Sequence, residues 1–167
     1  HVEVRQGSGL KVLSPGEADC IAIAGMGAST IISILEDDME IAQSAELLVL
    51  QPMAGAASLR AWLCSHGWQL AAEELVDDAP HFYEIIAAKR GSAPVYSAAE
   101  CAVGPLLLAQ EHPLLGKQLE RQLGNCRQLL ENMGRSERAR ASEKYKEVQA
   151  LKTELEVLQN GKLSDSK

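Results

Sequence analysis

The chain has 167 residues, 46% of them hydrophobic, and a formal charge of −7, which suffices for one modest core with an appendage and excludes disorder throughout. Its apolar runs fall well short of the ~20 residues needed to cross a bilayer, and the start at His1 has neither the basic nor the apolar region of a signal peptide, so a cytoplasmic protein with no membrane partner is expected. The charge is divided unevenly, net −10 over residues 1–111 and net +3 over residues 112–167, so contact with a polyanion is expected through the C-terminal part, while a solvated helical face gives the same composition.

Val2 to Arg5 alternates apolar and polar residues and is predicted as a short strand entering a turn at Gln6-Gly7-Ser8-Gly9. Asp19 to Ala24 is a compact apolar run, the pattern of a strand buried on both faces in a parallel sheet, and Gly25-Met26-Gly27 ends it. From Ser29, Ile31, Ile32, Ile34 and Leu35 recur at helical spacing up to the acidic Glu36-Asp37-Asp38. The unit repeats: Leu47 to Leu50 reads as a second buried strand, Gln51-Pro52 stops it, a helix follows from Ser58 through Ser65, and Gly67 terminates it. Trp68 to Val76 and Phe82 to Ala88 are two extended runs close enough for an antiparallel hairpin around Asp77-Asp78-Ala79-Pro80. The fold class is therefore α/β, an open sheet of parallel strands with an antiparallel strand at one side.

A composition change at Gly91 marks a linker over residues 92–97, separating an α/β domain over residues 1–91 from a helical domain over residues 98–167. There Leu115, Leu119, Leu123, Cys126, Leu130 and Met133 form one apolar stripe, and Val148, Leu151, Leu155 and Leu158 a second. Gly134, Arg135 and Ser136 break the pattern between them, so an antiparallel, coiled-coil-like α-helical hairpin is expected, its helices pairing with each other before they engage another chain.

Cys20, Cys64, Cys101 and Cys126 are far apart with no histidine at zinc-ligand spacing, so reduced, mostly buried thiols and no metal site are expected. No Ser-His-Asp or Cys-His set can be assembled on spacing, and Asp37-Asp38 and Asp77-Asp78 read as solvated faces or turn caps. In an open α/β sheet ligands gather at the carboxyl ends of the parallel strands. Three segments end there: Gln6 to Gly9, Ala24 to Gly27, and Gln51-Pro52-Met53. The glycines flanking Met26 let a ligand approach the backbone closely. A dinucleotide fingerprint is not met, because Thr30 holds the place of its third glycine and no acidic residue closes a second strand. A tight turn packing helix on strand is the plain reading, and a ligand pocket of another kind is its competitor. Trp62, Trp68 and Tyr83 read more readily as core than as base-stacking platforms. Residue patterns alone thus give a ligand-binding α/β half-domain with a helical hairpin, and no reaction.

Val4-Arg5-Gln6-Gly7-Ser8-Gly9-Leu10, Ile23-Ala24-Gly25-Met26-Gly27, Leu50-Gln51-Pro52, His66-Gly67-Trp68, Tyr83-Glu84-Ile85 and Val103-Gly104-Pro105 follow one another as in the bacterial tRNA (adenine-22-N1)-methyltransferases, the TrmK family. The chain resembles that family over roughly residues 2–160. The resemblance implies a partial class I methyltransferase (Rossmann-like) sheet from the strand order 3-2-1-4-5-7-6, S-adenosyl-L-methionine as cofactor and tRNA as partner. It places Gly7, Ser8, Gly9, Ala24, Gly25, Met26 and Gly27 at the cofactor and Gln51 and Pro52 at the substrate base. It assigns no catalytic acid or base, since the N1 lone pair of adenine is already nucleophilic and its methylation needs alignment more than proton transfer.

The resemblance also equates His1 to Arg5 with the family's third strand. The first two strands and the acidic glycine loop that binds the cofactor are then expected upstream, leaving Val2 to Arg5 as an uncovered sheet edge and catalysis dependent on that upstream part. Ser8 stands where the family usually has Asp, which removes a carboxylate from the cofactor's adenine side, and Ala28 stands where it has a glycine, a mild change in helical geometry and a costly one at positive φ. The basic helical hairpin is the expected tRNA grip. Two other functions fit the residues: a non-catalytic RNA- or protein-binding module using that hairpin, and a nicotinamide-dinucleotide enzyme, which the absent fingerprint disfavours.

Overall fold

The computed structural model describes residues 2–165, with side chains through Gly161, and the chain divides between Tyr96 and Ser97 into two compact units. The first unit is built on a four-stranded sheet of β1 (Cys20–Met26), β2 (Leu47–Pro52), β3 (Trp68–Asp78) and β4 (His81–Arg90), in the order β1-β2-β4-β3. β1 and β2 are parallel, whereas β4 is antiparallel to both β2 and β3. That order repeats the last four positions, 4-5-7-6, of the strand order implied by the resemblance. Helices α1 (Ala28–Asp37), α2 (Met39–Ser44) and α3 (Ala56–Ser65) link the strands.

One face of the sheet carries the core. Ile21 and Ile23 of β1, Leu48 and Leu50 of β2, Ile86 and Ala88 of β4, and Trp68 and Leu70 of β3 are buried, together with Ile31 and Leu35 of α1 and Leu59 and Leu63 of α3. A side chain of this size contributes about 1.5–3 kcal/mol when fully buried. Arg60 is buried among them, its Nε 2.5 Å from Glu73 of β3 and its Nη2 2.9 Å from Glu84 of β4, so a buried cation ties α3 to both strands of the hairpin.

Several expectations need correction. Val2 to Arg5 is not a strand: Val2 and Val4 are 86% and 92% exposed. With no strand beside it among the described residues, its backbone completes no ladder, and the segment is held by a side chain instead. The Arg5 guanidinium donates to the Val12 carbonyl and pairs with Glu17 and Glu3. Glu17 is drawn down to about 2 by its hydrogen bond from Arg5. Among the described residues the outer strand on this side of the sheet is therefore β1, with β3 at the other edge. β1 is buried on one face only, with Cys20, Ala22 and Ala24 exposed on the other. β1 and β2 also run on through Met26 and Pro52 instead of stopping at the glycine and proline signals. α2 has no counterpart in the sequence reading, and of the four cysteines only Cys101 and Cys126 are buried.

The second unit comprises α4 (Ala98–Val103), α5 (Pro105–Ala109), α6 (Leu115–Gly134), α7 (Glu137–Arg140) and α8 (Glu143–Asp165). Ser97 starts α4 through a capping box, its side chain accepting from the Glu100 N–H while the Glu100 carboxylate accepts from the Ser97 N–H. α6 and α8 pack on each other, burying Leu119, Leu123 and Cys126 of one and Val148 and Leu155 of the other. The buried Gln118 amide donates to the carbonyls of Ala102 and Val103, satisfying the end of α4. Among the described residues, no helix is long and apolar enough to cross a membrane.

Candidate functional site

The carboxyl ends of β1 and β2 lie side by side, with Ala24 opposite Gln51 and Met26 opposite Pro52. The register shifts between Ala24 and Met26 because Gly25 takes a left-handed φ of +77°, a conformation costly for any residue with a Cβ. Its freed N–H donates to the Gln51 side-chain oxygen at 2.9 Å. The Gln51 amide nitrogen in turn lies 3.5 Å from the Met53 sulfur, so this side chain braces the turn while offering only a weak contact with its donor end. Two backbone bonds close the end of the sheet: Met53 N–H to Met26 carbonyl at 2.8 Å, and Ala28 N–H to Ala54 carbonyl at 2.9 Å.

Gly27 differs from Gly25. It has φ −69° and ψ 153°, ordinary extended backbone, and caps the N-terminus of α1 without a side-chain bond. Ala28 is the first residue of that helix and is buried, so the alanine at this position is the mild case. The reason for a small residue is visible across the turn, where a Cβ built on Gly55 would lie 3.0 Å from the Ala28 Cβ.

Gly9, Ala24 and Met26 meet around a cavity of about 340 Å³, with Leu10, Ala22, Ile23 and Ile34 completing its walls. Gly9 has φ +57°, and a run of turns, Lys11 N–H to Ser8 carbonyl and Leu13 N–H to Leu10 carbonyl, sets the buried Leu10 against it. Ser8 is exposed. Gly7 is required for space, since a Cβ there would overlap the Val12 side chain. The structure thus gathers Gly9, Ala24 and Met26 in one concavity, with Gly25 and Gln51 bonded beside it. Gly7, Ser8, Gly27 and Pro52 are not among the lining residues. Of the residues that complete the pocket, Leu10 closes the first of the motifs quoted above without being assigned to the site, and Ile34 carries no signal beyond hydrophobicity. A larger cavity of about 660 Å³ lies in the second unit between α4 and α8, lined by Ala99, Glu100, Ala150, Glu154, Val157 and Leu158 among others. It presents no glycine turn and does not lie at strand ends, where an α/β sheet binds its ligands.

Among the described residues no group of His, Cys, Asp or Glu is placed to hold a metal ion. Among the described residues no hydrogen bond joins a Ser, Cys or Thr side chain to a base at the strand ends. Burial pushes the Cys64 thiol up, with the Glu73 charge adding to the effect, and burial likewise raises Cys126; neither is an activated nucleophile. What the strand ends offer is a glycine-bent backbone, an apolar concavity and exposed Met26 and Met53, an arrangement for holding and aligning a ligand.

A mixed sheet of this order with a glycine turn closing its first parallel strand defines a Rossmann-like α/β protein, a class in which ligands gather at the carboxyl ends of parallel strands such as β1 and β2. Comparison with known proteins narrows this class. The family model for tRNA (adenine(22)-N(1))-methyltransferase, TrmK, matches residues 1–160, and the chain belongs to that family. It is 31% identical over 163 residues to the tRNA (adenine(22)-N(1))-methyltransferase of Bacillus subtilis strain 168, an alignment covering 95% of this chain and 68% of the relative. The crystal structure of the B. subtilis m1A22 tRNA methyltransferase TrmK superposes with a TM-score of 0.81 at 29% identity, covering 95% of this chain and 70% of that one. A Streptococcus pneumoniae protein provisionally named a tRNA (m1A22) methyltransferase, solved in complex with S-adenosyl-L-methionine, gives a TM-score of 0.76 at 26% identity over 94% of this chain and 68% of that one.

Proposed function

We propose that this protein takes part in methyl transfer from S-adenosyl-L-methionine to N1 of adenine 22 in tRNA, with the carboxyl ends of β1 and β2 forming the reaction cleft. The observation that carries this reading is the Gly25 turn, braced by Gln51 beside the Gly9–Ala24–Met26 concavity, in a chain of this family. The residues present fit the cofactor. Gly25 has no atom within 4 Å of where its Cβ would lie, so the backbone there is open to close approach, and Leu10, Ile23 and Ile34 supply an apolar wall for a purine.

When bound, the cofactor supplies an activated methyl group on a sulfonium. The N1 lone pair of adenine attacks such a carbon without prior deprotonation, so the protein's task is alignment and electrostatics. The Ala24–Gly27 backbone and Gln51-Pro52 flank the reacting groups in this scheme, and Ser8 offers the cofactor a neutral hydroxyl. The product base is cationic, and the acidic character of the first unit, which carries most of the chain's Asp and Glu, favours it.

The second unit then serves as the tRNA grip, a helical hairpin of α6 and α8. Several of its cations are already paired along their own helices, as in Lys144–Glu147 and Lys152–Glu156. Among the described residues Arg138 and Arg140, in the last turn of the short exposed α7, have no such carboxylate partner, which suits them to phosphates. The test is methyl incorporation from radiolabelled cofactor into tRNA by the full-length protein. Transfer is expected with an unmodified tRNA and abolished when adenine 22 is replaced by guanine; equal labelling of both refutes the proposal. Arg138→Gln with Arg140→Gln is expected to weaken tRNA binding and flatten its salt dependence by about two counterions.

A further inference from the structure

We infer that Tyr83, at the outer end of the β3–β4 hairpin, is the surface on which the target adenine stacks; the role rests on the reaction proposed above. β4 runs antiparallel to β2, and their last registered pair is Leu50 with Ile86. Ile85 and Glu84 are therefore level with Gln51 and Pro52, and residues of β4 that precede Glu84 extend past the carboxyl end of β2. Tyr83 lies three residues out, about 10 Å at ~3.3 Å per residue, while β2 continues only two residues to Pro52, on a strand ~5 Å away. Tyr83 thus overhangs the end of the cleft by one residue.

Alternation fixes the side it presents. Ile86 and Glu84 turn toward the helices, where Glu84 meets the buried Arg60. Ile85 and Tyr83 turn the other way, to the face shared by Gln51 and its neighbour Ala24. Val76 is directly opposite Tyr83 on β3 and shares that face. Tyr83 is partly exposed, with the His81 ring 5.8 Å from its own and tilted by 36°. Val76, Met26 and Met53 are 39%, 42% and 50% exposed, Val76 across from Tyr83 and the two methionines at the carboxyl ends of β1 and β2. An apolar, aromatic rim at the mouth of a polar ligand's site is a platform for a nucleobase, because every base offers a π face and most of its area is apolar.

Both tryptophans of the first unit are already used, while Phe82 and Tyr96 are, like Tyr83, partly exposed. Trp68 is fully buried with Arg90 over its ring, and Trp62 stacks on His66 and donates its Nε1 to Glu36. In a chain with only 4% Phe, Trp and Tyr, an aromatic spent on an exposed strand end beside the cleft is not accounted for by the core. Methylation at N1 also requires the base to leave its stack in the folded RNA, and a stacking partner in the cleft offsets what that costs.

The test compares the full-length wild-type protein with Tyr83→Ala, Tyr83→Leu and Tyr83→Phe, measuring kcat/KM for tRNA, cofactor affinity by calorimetry and thermal midpoint. Loss of the π face in the Ala and Leu variants is expected to lower kcat/KM for tRNA about 10- to 100-fold, with cofactor affinity and thermal midpoint unchanged, and the Phe variant is expected to stay within about threefold of wild type. Wild-type kcat/KM in Tyr83→Leu overturns the assignment, as does an equal loss in Tyr83→Phe, which would make the hydroxyl the working group. A loss that tracks a lowered thermal midpoint in all three variants also overturns it, leaving Tyr83 a packing residue. Wild-type protein that transfers no methyl group to adenine overturns the reaction itself, a result separate from any difference among the variants.

Discussion

Replacing Arg60 with methionine removes one guanidinium from a site where two carboxylates depend on it. The Arg60 and Glu73 side chains are 0% exposed and Glu84 is 7% exposed, with the contacts at 2.5 and 2.9 Å. Methionine fills much of the same volume, so the loss is electrostatic and not a cavity. Removing one partner of a buried pair costs about 3–5 kcal/mol; Glu84, at the margin of the burial, retains some access to water, which places the expectation near 4 kcal/mol. That is a large part of the ~5–15 kcal/mol that holds a domain together, and amounts to a fall in thermal midpoint of about 8–16 °C for a chain of this size. Urea unfolding followed by tryptophan fluorescence reports the change directly, since Trp62 neighbours Arg60 on α3 and Trp68 starts β3. Arg60→Met combined with Glu73→Gln and Glu84→Gln is expected to regain at least half of the loss, because no charge is then left buried alone. A single variant within about 1 kcal/mol of the parent, or a triple variant no better than the single one, refutes the reasoning.

Two further outcomes follow from the local geometry. Gly25 and Gly55 have nearly the same φ, +77° and +79°, but only Gly55 is crowded, with Ala28 Cβ at 3.0 Å and Ser58 Oγ at 3.2 Å from an added Cβ. Gly25→Ala should cost about 1–2 kcal/mol for its backbone alone, and Gly55→Ala about 1–3 kcal/mol more for overpacking; thermal melts that rank the two equally contradict the contact, and adding Ala28→Gly should recover the steric part. At the N-terminal segment, the Glu17 carboxyl is held at about 2 against an ordinary 4.5 by Arg5. Its folded value is depressed, so its contribution to anchoring residues 2–17 is present above pH 4.5 and is lost as pH falls toward 2. Titration by nuclear magnetic resonance should show that low value and its return toward 4.5 in Arg5→Ala; an unchanged value in the variant contradicts the pairing.

The strands and the β3–β4 hairpin were legible because burial leaves a periodic trace: Leu47 to Leu50 could hardly be anything but an inner strand, and Trp68 to Ala88 alternates around a Pro-containing turn. The same logic misread Val2 to Arg5, where alternation is real but a strand exists only with a neighbour. β1 shows the limit of composition. Cys-Ile-Ala-Ile-Ala looks doubly buried because alanine and cysteine tolerate burial, yet Ala22 and Ala24 are exposed. At the site, the special role of Gly25 was legible from glycine chemistry, whereas nothing in the spacing distinguished it from Gly27, which is extended. The brace from Gln51 to Gly25 and the pocket walls at Leu10 and Ile34 are tertiary and leave no local mark. Tyr83 read as core because aromatic residues usually are; only strand register reveals that it stands beyond the end of its neighbour.

Cofactor and base are expected to meet at the carboxyl ends of β1 and β2. Amide-resolved nuclear magnetic resonance of the full-length protein, titrated with S-adenosyl-L-methionine, tests it most directly. Shifts are expected at Gly9, Ala24, Gly25, Met26 and Gln51, with Gly67, Arg90 and Gly91 at the opposite end of the sheet unchanged. Shifts absent from the first group, or concentrated at Gly67 to Gly91 or between α4 and α8, would place the ligand elsewhere.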